Sequence, residues 1–189
     1  DTWMKNLRAA GVQPEEIDYV FCTHLHVDHA GWNTQLRDGR WVPSFPNAKY
    51  VFARTEYAAS EKEAGDTFRE SVLPVMEAGQ AVLVDMDHAV DDQLWLQPGH
   101  TPGHCAVTIA SNGERASMCG DLIHTPIQCL HPEWSPAFDA DKEAARQTRR
   151  AYLEERCEAG DLMLTAHFPT PSVGRVVPHD DAFRFAFEK

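Results

Sequence analysis

The sequence is short of several features that would assign it to a special class. No apolar run approaches the roughly 20 residues needed to cross a bilayer, so no transmembrane helix is expected. Its five cysteines, Cys22, Cys105, Cys119, Cys129 and Cys157, are odd in number, scattered, and form no CxxC pair, which argues against a disulfide framework and a thiolate zinc site. They read as small buried hydrophobes in a reducing compartment. Asp1 opens the chain without a signal-like apolar segment, and the expectation is a cytoplasmic protein. Positive charge is also scarce: 17 Lys and Arg face 29 Asp and Glu, a formal net charge of −12. Nucleic-acid binding draws most of its affinity from Lys and Arg at phosphates, so neither a nucleic-acid nor a membrane partner is expected, and a neutral or cationic small molecule fits this field better.

What is present suits one domain, residues 1–189, long enough to bury roughly 70% of the surface its unfolded chain would expose. Apolar residues at helical spacing over 2–10, stopped by Gly11, predict a first helix. Residues 18–23 read as a buried strand and 32–47 as a loop or short hairpin insertion. A strand is expected at 48–54, helices at 55–63 and 67–78 with Pro74 kinking or starting the second, and a strand at 81–85. Strands follow at 93–97 and 105–110. Asn112-Gly113 is a two-residue hairpin signal before a strand at 115–119. The best helix covers 139–158 with Gly160 just beyond it, and strands close the chain at 162–165 and 181–187. Strands alternating with helices make an α/β layered protein.

His24, His26, Asp28 and His29 put four potential metal ligands within six residues, immediately after a strand. Residues two apart in an extended segment face the same way, so His24 and His26 can share one metal while Asp28 and His29, on the following turn, reach a second. Imidazole with carboxylate suits zinc, iron, manganese or cobalt better than calcium. A two-metal site needs further donors, and three lie at predicted strand ends: His104 in the turn His100-Thr-Pro-Gly-His104, Asp121 after Gly120, and His167.

With these residues in place the sequence resembles the metallo-β-lactamase superfamily, whose pattern is HxHxDH followed by a distant His, an Asp and a His. The run from Thr23 to Asn33, with His104 and with Ala166-His167-Phe168-Pro169, is most similar to the branch of quorum-quenching lactonases and methyl-parathion-type organophosphate hydrolases. The resemblance implies a four-layer αβ/βα sandwich. It implies one ion on His24, His26 and His104, a second on Asp28, His29 and His167, and Asp121 bridging both. It further implies two divalent ions, zinc foremost, with a hydroxide between them as nucleophile. Asp28 and Asp121 are then catalytic as well as ligating, and lactones, aryl esters or phosphotriesters are the substrates. β-Lactam or phosphodiester hydrolysis, a mononuclear iron oxygenase, and an idle metal-binding or assembly module are the competing readings. Relatives carry strands ahead of the position of Thr2, so an N-terminally shortened sandwich is expected, its exposed edge covered in a homodimer or higher oligomer.

Trp32, Trp41, Phe45, Phe138 and Phe168 are candidate walls of a substrate pocket, with Trp134 beside them. His100 and His124 lie close enough to proposed ligands to hydrogen-bond to them from behind. His88, His131 and His179 read as surface residues, as do Arg146, Arg149 and Arg150 on the polar face of the long helix.

Overall fold

The computed structural model describes residues 2–85, 93–96 and 99–189. The chain divides into two compact units, Asp1–Val84 and Asp85–Lys189. Among the described residues, no helix is long and apolar enough to cross a membrane.

The first unit runs α1 (Thr2–Ala9), β1 (Tyr19–Phe21), α2 (Val27–Ala30), β2 (Thr34–Arg37), β3 (Arg40–Pro43), β4 (Lys49–Ala53), α3 (Arg54–Glu63), α4 (Leu73–Glu77) and β5 (Ala81–Val84). Its main sheet has the order β1-β4-β5. All pairs are parallel, with Tyr19 opposite Lys49 and Tyr50 opposite Ala81. A central parallel strand is covered on both faces and reads as a continuous apolar run. Tyr50, Val51 and Phe52 of β4 are accordingly all buried. The insertion expected at 32–47 contains the β2–β3 hairpin, turned over Asp38 and Gly39, whose φ values of 51° and 76° fit a twisted two-residue turn.

The helix expected over 67–78 is divided. A π-turn, Phe68–Val72, precedes α4, and Pro74 sits in the first turn of α4, where its missing N–H breaks no bond. Met4, Phe45, Tyr50, Phe52, Phe68 and Val72 belong to this unit's core. The Tyr50 hydroxyl donates to Asn33 O and accepts from Phe45 N, both at 3.0 Å, so its burial leaves no polar atom unmet.

The second unit runs β6 (Gln93–Leu96), β7 (Cys105–Ser111), β8 (Glu114–Met118), α5 (Ile127–Leu130), α6 (Lys142–Ala159), β9 (Leu162–Leu164), β10 (Val173–His179) and β11 (Ala182–Phe187). One sheet orders these strands β11-β10-β9-β8-β7-β6. Every pair is antiparallel except β8 with β9, where Ser117 faces Met163. A parallel pair needs a long crossover, and residues 119–161 supply it, α6 included. Asp141 caps α6 by accepting from the amides of Glu143 and Ala144, and Gly160 ends it with φ 65°.

Three elements, α2, α5 and β10, have no counterpart in the sequence reading. Gly174 and Pro178 interrupt the alternation of β10. Gly174 is required there, because a Cβ would lie 2.3 Å from Ala186 O on β11. The surface reading of α6 is also corrected at one position. Arg149 is fully buried, in a stripe with Ala145, Tyr152, Leu153 and Arg156, while Arg146 and Arg150 are exposed. The stripe's spacing is that of a core-facing helix side.

Cys22, Cys105, Cys119 and Cys129 are buried and Cys157 is partly exposed. Burial pushes the Cys129 thiol up to about 12, leaving it protonated, and the thiolate is the reactive form. With a thiol-specific reagent near pH 8, Cys157 is therefore expected to label quickly and the other four only after denaturation. A second fast thiol in the folded protein would contradict this packing.

Candidate metal centre

In the first unit the ligand run begins where β1 stops pairing. His24 is buried, and His26 occupies the N-cap of α2 in an extended conformation, which puts Asp28 in that helix's first turn and His29 in its last. Three contacts hold the run. Glu56 of α3 is 5% exposed and accepts from the Leu25 amide at 3.0 Å, fixing the backbone between the two histidines. The Cys22 thiol donates to Asn33 Oδ1 at 3.4 Å. Thr23 Oγ1 lies 3.2 Å from His24 Nδ1, which turns His24 Nε2 toward His26 Nδ1 at 3.1 Å. Two imidazole nitrogens facing each other at this distance either share a proton or address one cation between them. Asp28 and His29 form the neighbouring pair, Oδ2 to Nε2 at 3.5 Å.

In the second unit a 3-10 turn, Gly120–Leu122, carries Asp121 out of β8 with its side chain 5% exposed. Three imidazoles meet this carboxylate through Nε2: His167 at 3.0 Å, His124 at 3.1 Å and His100 at 3.4 Å. Such nitrogen and oxygen donors fit a divalent cation of the zinc, iron, manganese or cobalt type. His124 and His167 stack at 5.1 Å, and the Phe138 ring stands edge-on to His124 and His100, at 4.9 and 5.8 Å.

His100, rather than the expected His104, is the residue of this turn whose ring meets the Asp121 carboxylate. His104 is fully buried, and its Nε2 accepts the Asp121 amide at 3.0 Å, so that lone pair is spent on the backbone of the carboxylate residue. His100 instead turns Nδ1 to Asp139 Oδ1 at 3.0 Å and Nε2 to Asp121. Asp139 is in turn bonded to Arg149 at 3.2 Å. Burial alone would raise the Asp139 carboxyl, but the His100 bond and the Arg149 charge outweigh it and hold it below its ordinary value.

Sequence reasoning did not find Asp139 and Arg149. The available signal was the stripe of α6, in which Arg149 falls one turn after Ala145. Among the proposed pocket walls, Phe138 alone of the second unit's two faces the imidazoles, since Phe168 packs on Phe185 in the core. Trp32 and Phe45 line a cavity of about 330 Å³ that also touches His29, and Trp41 is half-buried on β3. Trp134 stacks on His131 at 4.3 Å. His179 is exposed, as expected, His131 is partly buried, and His88 lies outside the described residues.

The chain matches the Metallo-beta-lactamase superfamily over residues 2–159. It is 33% identical over 104 residues to the N-acyl homoserine lactonase AiiA of Bacillus thuringiensis subsp. kurstaki, covering 54% of this chain and 37% of that protein. It therefore spans little more than a third of such relatives' length. Among solved structures it is similar to AidC, a dizinc quorum-quenching lactonase, with a TM-score of 0.84 at 25% identity over 98% of this chain and 69% of that one. The hydrolase AbOPH aligns with a TM-score of 0.86 at 24% identity, over 98% of this chain and 70% of that one, a likeness of fold.

Gly99 sets the approach of His100 to α6. Its φ is +130°, and an added Cβ would stand 2.3 Å from Ala145 N. Gly99→Ala is expected to destabilise the protein by roughly 3 kcal/mol, combining overpacking with backbone strain. A denaturant midpoint unchanged from the parent would contradict that close approach.

Proposed function

The chain belongs to the metallo-β-lactamase superfamily, and from that premise we propose that it is a dinuclear metal-dependent hydrolase of small neutral esters, lactones first among them. The observation that carries the reading is the convergence of His100, His124 and His167 on the single buried carboxylate of Asp121. Packing alone gives no reason to gather three imidazoles there, whereas a divalent cation does. The proposed ligands are His24, His26 and His100 for one ion and Asp28, His29 and His167 for the other. Asp121 is shared, and His100 stands in the place first expected of His104.

When bound, the ions supply a water acidic enough to lose its proton near neutral pH and a Lewis acid for the carbonyl oxygen. The chain's own groups do the rest. Thr23 and Asp139 orient the rings of His24 and His100, and His104 holds the backbone of Asp121. His124 has Nε2 on Asp121 and its ring packed among His167, His100 and Phe138, which holds the carboxylate in place. Phe138, more than half exposed, offers an apolar surface to the substrate's non-reacting part. The net charge of −12 favours a neutral substrate over an anionic one. Lactones come first because the relatives matched are N-acyl homoserine lactonases.

The test is ring opening of an N-acyl homoserine lactone, followed by proton release, after chelation and after zinc is restored. Activity is expected to vanish and return. Asp121→Asn is expected to lower kcat/KM by more than roughly 100-fold, beyond the usual cost of removing an outer partner of a metal site. Turnover that survives chelation, or Asp121→Asn at parental activity, would sink the proposal.

Self-association is part of the same reading. β1 is an edge strand of the first unit's sheet, and the stacked Trp3 and Trp32 beside it are both exposed. A second copy would cover them. Sedimentation is expected to report a dimer, and a monodisperse monomer at micromolar concentration would remove this element alone.

A further inference from the structure

Arg149 is fully buried on α6 and uses its guanidinium on four acceptors: Leu122 O at 2.8 Å, Pro132 O at 2.9 Å, Trp134 O at 2.8 Å and Asp139 Oδ2 at 3.2 Å. The other oxygen of Asp139 meets His100 Nδ1 at 3.0 Å. The backbone beside it is fixed separately, because the amides of Ala140 and Asp141 donate to the carbonyls of His100 and Gly99 at 3.1 and 2.9 Å. What remains for the Asp139 side chain to decide is the rotation of the His100 ring and the nitrogen that carries its proton.

We infer that Asp139 and Arg149 are positioning residues that set the tautomer of His100, keeping the proton on Nδ1 and leaving the Nε2 lone pair for a divalent cation. This rests on the reading of His100 as a metal ligand given above. An ionised carboxylate can only accept, so the nitrogen facing it must be the one that donates. Nε2 is then left without a proton, and it is turned toward a second carboxylate, Asp121, at 3.4 Å, two acceptors that a cation between them reconciles. A buried ion pair is a poor source of stability, since apolar residues of equal volume often do as well. An apolar pair could not choose between two ring nitrogens. Arg149 adds a second constraint through Leu122, the residue after Asp121, so one rigid guanidinium plane ties the residue that orients His100 to the segment that carries the carboxylate.

The proposal is tested first on the zinc-loaded parent protein, by nitrogen NMR of its imidazoles. The His100 resonances, assigned by their loss in His100→Ala, are expected to show a protonated Nδ1 and a zinc-shifted Nε2 that carries no proton. The reverse tautomer overturns the inference whatever the variants do. Zinc affinity is then measured by competition with a chromogenic chelator, zinc alone being the probe. Asp139→Asn, whose amide can present either a donor or an acceptor to Nδ1, is expected to weaken one zinc site by roughly 10- to 100-fold and leave the other as it was. Arg149→Lys keeps the charge but cannot fork across four acceptors, and is expected to show a smaller loss at the same site. Parental zinc affinity in Asp139→Asn, where His100→Ala has lost a site, overturns the inference and leaves the ligand reading standing. Parental affinity in His100→Ala overturns the ligand reading itself.

Discussion

A carboxylate taken out of water must be met by donors or cations, and the second unit is organised around meeting three of them. Asp121, Asp139 and Asp161 are 3%, 5% and 7% exposed. Asp121 has imidazoles, Asp139 has Arg149 and His100, and Asp161 has Arg156, at 2.8 Å, with Arg115 at 3.6 Å. Both buried arginines come from one stripe of α6, spaced among the apolar residues that pack the helix down. The helix cannot bury Tyr152 and Leu153 without also burying Arg149 and Arg156. Core packing and the provision for buried negative charge are thus one arrangement.

The first unit meets the same demand with less charge. Its ligand run sits at the open end of a short parallel strand, and what restrains it is local: a buried glutamate on a backbone amide, a threonine hydroxyl on a ring nitrogen, and a thiol on an asparagine. Ligands on strand ends and on the turns that follow are free of the sheet's own hydrogen-bonding needs, so their side chains can be spent on chemistry.

The α/β class, the metallo-β-lactamase resemblance and most elements were legible in the sequence, because the hydrophobic periods and turn residues speak locally. Asn112-Gly113 turned where expected, and Gly160 ended α6. The donor types were also legible, since four ligand-capable residues in six positions are a dense signal. What the sequence concealed was how lone pairs are allotted. His100 and His104 are four residues apart around one tight turn, equally able to ligate by type, and only the backbone amide of Asp121 meeting His104 separates them. Arg149 was hidden for a related reason. A charged residue within a helix stripe reads as surface until its partner, ten residues earlier in an irregular segment, is placed beside it. β10 was missed because its glycine serves packing against β11, a demand that the strand itself does not display.

The parallel join of β8 to β9 has a consequence for the order of assembly. Asp121 leaves the end of β8, and His167 follows β9, with the whole crossover of residues 119–161 between those strands. Contacts that close long loops form late, because the entropy of closure is lost before any pairing repays it. During synthesis the nascent chain exposes Asp121 well before the imidazole of His167 exists to meet it. The imidazole cluster about Asp121 is therefore completed only once the whole crossover, α6 included, has been synthesised.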